Sequence, residues 1–110
     1  MHYIFILLWG SFISPALAES SSFVDTFDGR LNRDRWYISD GWSNGTHQSC
    51  VWSNQNVRLI EDKLVLTLSD RPRKGHLFSC GELQTTAFYG YGTYEVRMKA
   101  APANSGMVSA

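Results

Sequence analysis

An excess of charge of either sign is missing from this chain. Ten acidic and ten basic residues leave its 110 residues formally neutral. A neutral surface offers no electrostatic hold on nucleic acid or an anionic membrane, so neither is expected as a partner. Sustained helical periodicity is also missing, as are internal repeats and low-complexity segments. That argues against a bundle, a solenoid or a disordered tail. No apolar run approaches the roughly 20 residues needed to cross a bilayer. There is no Gly-rich phosphate loop, nucleophile elbow or paired-His motif. Cysteine is scarce. Cys50 and Cys80 stand far apart with no CxxC, which is not a metal site.

Export accounts for the two cysteines. Residues 1–18 carry no Asp, Glu, Lys or Arg, hold an apolar run from Tyr3 to Trp9 and end in Ala16-Leu17-Ala18. The small-x-small ending marks a signal peptide, leaving residues 19–110 as the mature domain. The start lacks Lys and Arg, and the competing reading is a short membrane anchor. A secreted chain, extracellular or periplasmic, is expected to pair its even cysteine count in one disulfide. Such a bridge is worth roughly 3–4 kcal/mol in the chain-entropy model. The competing reading is two free thiols.

The patterning is almost all β. Residues 22–27 alternate Phe23, Asp25 and Phe27 against Val24 and Thr26, which predicts a strand. Trp36-Tyr37-Ile38 is a short apolar run. Residues 57–60 and 64–68 flank Glu61-Asp62-Lys63 as a hairpin, with Leu64, Leu66 and Leu68 on one face. Residues 69–75 form a charged loop, and its Arg71, Arg73 and Lys74 read more readily as a solvated turn than as an anion site. The longest strand candidates are residues 77–86 and 91–99. In the second, Tyr94, Val96 and Met98 share a face that should meet a core. Short strands with regular turn signals indicate a sandwich or barrel. The chain stops on an apolar run, so the expectation is a partial two-sheet core.

The densest chemistry lies between Asp40 and Trp52, in DGWSNGTHQSCVW. Two tryptophans, an Asn-Gly turn, a histidine and a cysteine share thirteen positions. Aromatic faces beside amides and hydroxyls suit a sugar, whose C–H face lies on a ring while its hydroxyls take directional hydrogen bonds. Glu82 follows Cys80-Gly81, so a disulfide would hold it beside this wall. Its competing reading is a solvent-facing strand acid. Gln84 shares its face and could add an amide. Glycoside hydrolysis needs two flanking carboxylates, and an E-x-D-x-E strand would supply them. That pattern is absent here. His47 has no second ligand at a useful spacing and reads as a loop histidine. Asn44-Gly45-Thr46 matches a glycosylation sequon.

Three stretches, DGWSNGTHQSCVW, NVRLIEDKLVLTLS and SCGELQTTAFYGYGTYEVRMKAAPANSGMVSA, together resemble the first half of glycoside hydrolase family 16. The likeness is to its bacterial lichenase and rhizobial endo-β-1,3-1,4-glycanase branch, and it covers nearly all of residues 23–110. It implies an all-β, concanavalin A-like jelly-roll sandwich, incomplete at the C-terminus, with a concave face for a β-glucan or related exopolysaccharide. It implies retaining hydrolysis by two glutamates on a strand beyond Ala110, so no catalytic residue is expected in this chain and these residues alone should hydrolyse nothing. Carried over position by position, Asn44 and Glu82 would hold glucose hydroxyls, Trp42 would stack where tyrosine is common, and Cys50 and Cys80 would form the family disulfide. Gln84 stands where bacillar enzymes carry arginine, and Gln48 where they carry phenylalanine, so strict mixed-linkage specificity is not implied. No cofactor is required, and a structural calcium is compatible with the full-length protein, expected as a monomer. The alternative is a non-catalytic carbohydrate-binding protein on the same fold.

Overall fold

The computed structural model describes residues 22–109. The signal peptide expected at residues 1–18 therefore lies outside the described residues. Seven short strands follow in order: β1 (Trp36–Ile38), β2 (Cys50–Trp52), β3 (Val57–Ile60), β4 (Lys63–Leu66), β5 (Leu68–Ser69), β6 (Phe78–Cys80) and β7 (Leu83–Thr85). One turn of 3-10 helix, Asn54–Asn56, precedes β3. β1 pairs antiparallel with β7, β3 with β4, and β6 lies between β2 and β5. The fold is the expected all-β one, a partial jelly-roll sandwich.

The hairpin forms where the alternation placed it. Val57 faces Leu66 and Ile60 faces Lys63 in an antiparallel ladder. Its turn is shorter than expected: only Glu61 and Asp62, at φ 49° and 54°, lie outside the strands. Two left-handed residues make the turn whose twist matches the strands it joins. The second arm does not run on to Leu68 as one strand. Asn56 is buried, and its side-chain amide donates to the Thr67 carbonyl at 3.1 Å and to Ser69 Oγ at 3.1 Å. The Thr67 N–H turns to the Asn56 carbonyl at 2.9 Å, and β5 then joins β6 instead of β3.

The expected strand at residues 77–86 is likewise two strands in two sheets. The Gly81 N–H donates to the Thr67 carbonyl at 3.0 Å, and the chain passes from β6 to β7 at Gly81-Glu82. β2, which the turn-rich sequence did not predict, lies parallel to β6 with Trp52 opposite Cys80.

Two predicted strands are not strands. Residues 22–27 have no ladder partner. Asp25 Oδ1 accepts the Phe27 N–H at 3.0 Å, and Phe27 sits at φ 56°. Phe23 and Phe27 instead pack on Trp36, with ring centroids 5.9 and 5.7 Å from it. The alternation recorded that aromatic packing, not a ladder. Asp25 Oδ2 also accepts Trp36 Nε1–H at 2.6 Å and pairs with Arg35. Burial raises its pKa, but these hydrogen bonds and the nearby guanidinium outweigh that and hold it below the ordinary carboxylate value. Residues 91–99 form no strand, and Tyr94, Val96 and Met98 are exposed. A period-two pattern specifies a face, but the ladder needs a neighbouring strand, and none of the described residues supplies one.

The core is small and half polar. Val51, Val57 and Cys80 are buried with Ser39, Ser53, Asn56 and Ser79.

Candidate functional site: an aromatic and amide wall beside Glu82

The wall is fastened to β2 by its own backbone. After β1 the chain turns through Gly41 at φ 82°, a left-handed conformation that favours glycine. The Gly41 N–H donates to the Trp52 carbonyl and the Trp52 N–H to the Trp42 carbonyl, both at 2.8 Å. Trp42 therefore packs edge-on against Trp52, at 6.2 Å and 70°, and stays 38% exposed. An exposed indole braced by a second indole is a rigid platform. Cys50 and Cys80 are disulfide-bonded, with Cα atoms 5.8 Å apart. Gln48 lies beside the bridge. Its amide nitrogen donates to the Cys50 carbonyl at 2.9 Å, and its oxygen accepts the Asn44 N–H at 3.3 Å. That contact shapes the Asn-Gly turn and leaves Asn44 exposed.

Glu82 sits where the chain changes sheets. Its carbonyl accepts the Ser39 N–H at 3.2 Å, which extends the β1–β7 pairing by one step. Ser39 is fully buried, and its hydroxyl donates to Glu82 Oε1 at 2.5 Å. Gln84 Nε2 donates to the same oxygen at 2.5 Å. Oε2 accepts no hydrogen bond among the described residues. Two neutral donors thus fix the carboxylate and leave one oxygen to accept from a ligand hydroxyl. Removing Ser39 Oγ should leave this carboxylate held by Gln84 alone. Ser39→Ala is expected to lower folding stability by about 1 kcal/mol, the scale of the lost hydrogen bond, read from urea unfolding of the full-length protein.

The charged loop is mostly exposed, as expected of a solvated turn, but two of its cations reach partners elsewhere in the chain. Arg73 and His76 exchange backbone hydrogen bonds across Lys74-Gly75. This tight turn lays Arg73 NH1 on Asp40 Oδ1 at 2.5 Å and Lys74 Nζ on the Gly41 carbonyl at 3.1 Å. Asp40 Oδ1 also accepts the Asn54 N–H at 3.0 Å. The Arg73 hydrogen bond, then that of Asn54, hold the Asp40 carboxyl at about 2 against an ordinary 3.8. Sequence separation hid this clamp: the partners are 33 positions apart. A lowered folded pKa stabilises above the unfolded value and is lost on acidification. The thermal midpoint should therefore fall as pH drops from about 3.8 towards 2. Asp40→Asn should remove that step, leaving a lower but flatter midpoint. The pair is a third exposed, so the step is small.

Of the predicted site residues, the structure joins Glu82 to Gln84 directly. Trp42 belongs to the adjoining wall, and Asn44 to its exposed turn. Among the described residues no hydrogen bond links either of them to Glu82. His47 is exposed. Sequence reasoning missed Ser39, whose role depends on a cross-strand neighbour. Parity along β1 was the signal that could have found it. No group of three His, Cys, Asp or Glu is placed for a metal ion among the described residues.

Residues 44–110 match the family described as Glycosyl hydrolases family 16. The chain belongs to that family. It is 48% identical over 89 residues to the endo-1,3-1,4-beta-glycanase ExoK of Rhizobium meliloti (strain 1021), covering 81% of this chain and 32% of that protein. It is 39% identical over 109 residues to a beta-glucanase of Bacillus subtilis (strain 168), covering 96% of this chain and 43% of that one. Its fold is similar to the crystal structure of a prokaryotic beta-1,3-1,4-glucanase (lichenase) derived from a mouse hindgut metagenome. There the TM-score is 0.57 at 30% identity, over 62% of this chain and 32% of the other. The chain thus spans only about a third to two fifths of the length of these relatives.

Proposed function

We propose that the full-length protein is a secreted endo-β-glucanase that cleaves β-1,3-1,4-glucan or a related exopolysaccharide with retention of configuration. The observation that carries this is Glu82. One carboxylate oxygen is fixed by Ser39 and Gln84 and the other is open, beside the Trp42 wall, in a family 16 chain. In this proposal residues 19–110 are the binding half of the domain. Trp42 carries the sugar face, and Asn44, Glu82 and Gln84 take its hydroxyls. The catalytic pair stands on a strand outside these residues. The protein needs no cofactor for the chemistry, is exported with its disulfide formed, and works as a monomer.

The test is hydrolysis of lichenan by the full-length protein, with the product anomer followed by NMR. The β-anomer should form first. Glu82→Ala should weaken substrate binding by about 1.5–3 kcal/mol, the scale of a hydrogen bond to a charged group. Glucan bound but never cleaved would favour the non-catalytic carbohydrate-binding alternative. Kinetics unchanged by Glu82→Ala would remove Glu82 from the site.

A further inference from the structure

We infer that Tyr37 is a further sugar platform, extending the glucan site by one residue of the chain beyond the sugar held by Glu82 and Gln84. This rests on the proposed glucan-binding role of that pair. In the β1–β7 ladder Tyr37 is directly opposite Gln84, and Ile38 is opposite Leu83. Side chains alternate across a strand, so Tyr37 and Ser39 share one face with Gln84 and Glu82, while Ile38 and Leu83 take the other. The shared face is therefore two rows: Ser39 with Glu82, then Tyr37 with Gln84. The rows are about 6.6–6.8 Å apart, two residues along the strand.

Tyr37 is 45% exposed, although it is a large aromatic fixed on a paired strand. Its phenol makes no hydrogen bond among the described residues. Gln84 directs its Nε2 towards Glu82 and Ser39, at 2.5 and 3.4 Å. Its amide thus bridges the two rows. An exposed ring next to an oriented amide repeats the pairing of Trp42 with the hydrogen-bonding groups of the wall, and it suits an uncharged sugar on its C–H face.

The test is kcat/KM of the full-length protein on β-1,3-1,4-gluco-oligosaccharides of increasing length. Wild type should improve with each added sugar until the site is full. Tyr37→Ala should remove the last of those steps, about tenfold on the longest substrates, and leave the shortest unchanged. Tyr37→Phe and Tyr37→Trp should keep the step. If Tyr37→Ala does not fold, Tyr37→Leu makes the same comparison with an apolar side chain that has no ring. A loss of equal size at every length, or no loss, overturns the platform while the glucan site stands. If Glu82→Ala also leaves every length unchanged, or wild type turns over none of them, the underlying site and the platform fall together.

Discussion

Gly81→Ala is expected to cost about 3 kcal/mol of folding stability, at the upper end of overpacking penalties. A Cβ at Gly81 would meet the Asn56 carbonyl oxygen at 2.3 Å and its carbon at 2.9 Å. Neither can step aside. The same carbonyl accepts the Thr67 N–H, and Asn56 is buried with its side chain bonded to Thr67 and Ser69. The position needs glycine for this close approach, and the Gly81 N–H is itself committed to Thr67. The alternative to lost stability is displacement of the β6–β7 crossing, which would carry Glu82 away from Ser39. Urea unfolding of the full-length protein should show a lower midpoint at unchanged slope. A stability within about 0.5 kcal/mol of wild type, the effect of a neutral surface change, would mean that Asn56 yields and the crossing is not tightly packed.

Much of this arrangement could be read in the sequence, and what could not has physical reasons. The hairpin was legible because residues 57–60 and 64–66 alternate about a short turn, and both partners lie within a few residues. The wall was legible because aromatics beside amides are unusual in composition. The strand at residues 77–86 was legible in existence but not in its break. A run of extended residues does not say which sheet each part joins, and that is decided by Asn56 and Thr67 from another part of the chain. The clamp of Arg73 on Asp40 was hidden for the same reason. Residues 22–27 misled because alternation reports side-chain faces alone. There the backbone bonds to the Asp25 side chain, and both phenylalanines reach one tryptophan. Glu82 was singled out from its neighbours Cys80 and Gly81, but its partner Ser39 required the register of β1 against β7.

Removing the disulfide should have the other large effect. Cys50 and Cys80 close a loop with a sequence separation of 30. Constraining a loop of that size in the unfolded chain is worth roughly 3–4 kcal/mol. The double variant Cys50→Ala/Cys80→Ala is therefore expected to unfold at a lower urea concentration by about that free energy. The bridge joins the ends of two parallel strands, β2 and β6, with few residues to hold them otherwise. It thus connects the Trp42–Trp52 platform to the strand that leads into Glu82. Under the proposed function, loss of the bridge should raise KM for glucan more than it lowers kcat, because the wall and the carboxylate would no longer be held at a fixed separation. The backbone bond from Ser53 N–H to the Cys80 carbonyl, at 2.9 Å, would remain as a weaker tie. Kinetics on lichenan should be measured well below the variant's melting point, so that unfolding does not mimic the effect. A lowered stability with KM unchanged would show that backbone pairing alone aligns the two halves of the site. A stability unchanged as well would place the constraint in the remainder of the domain.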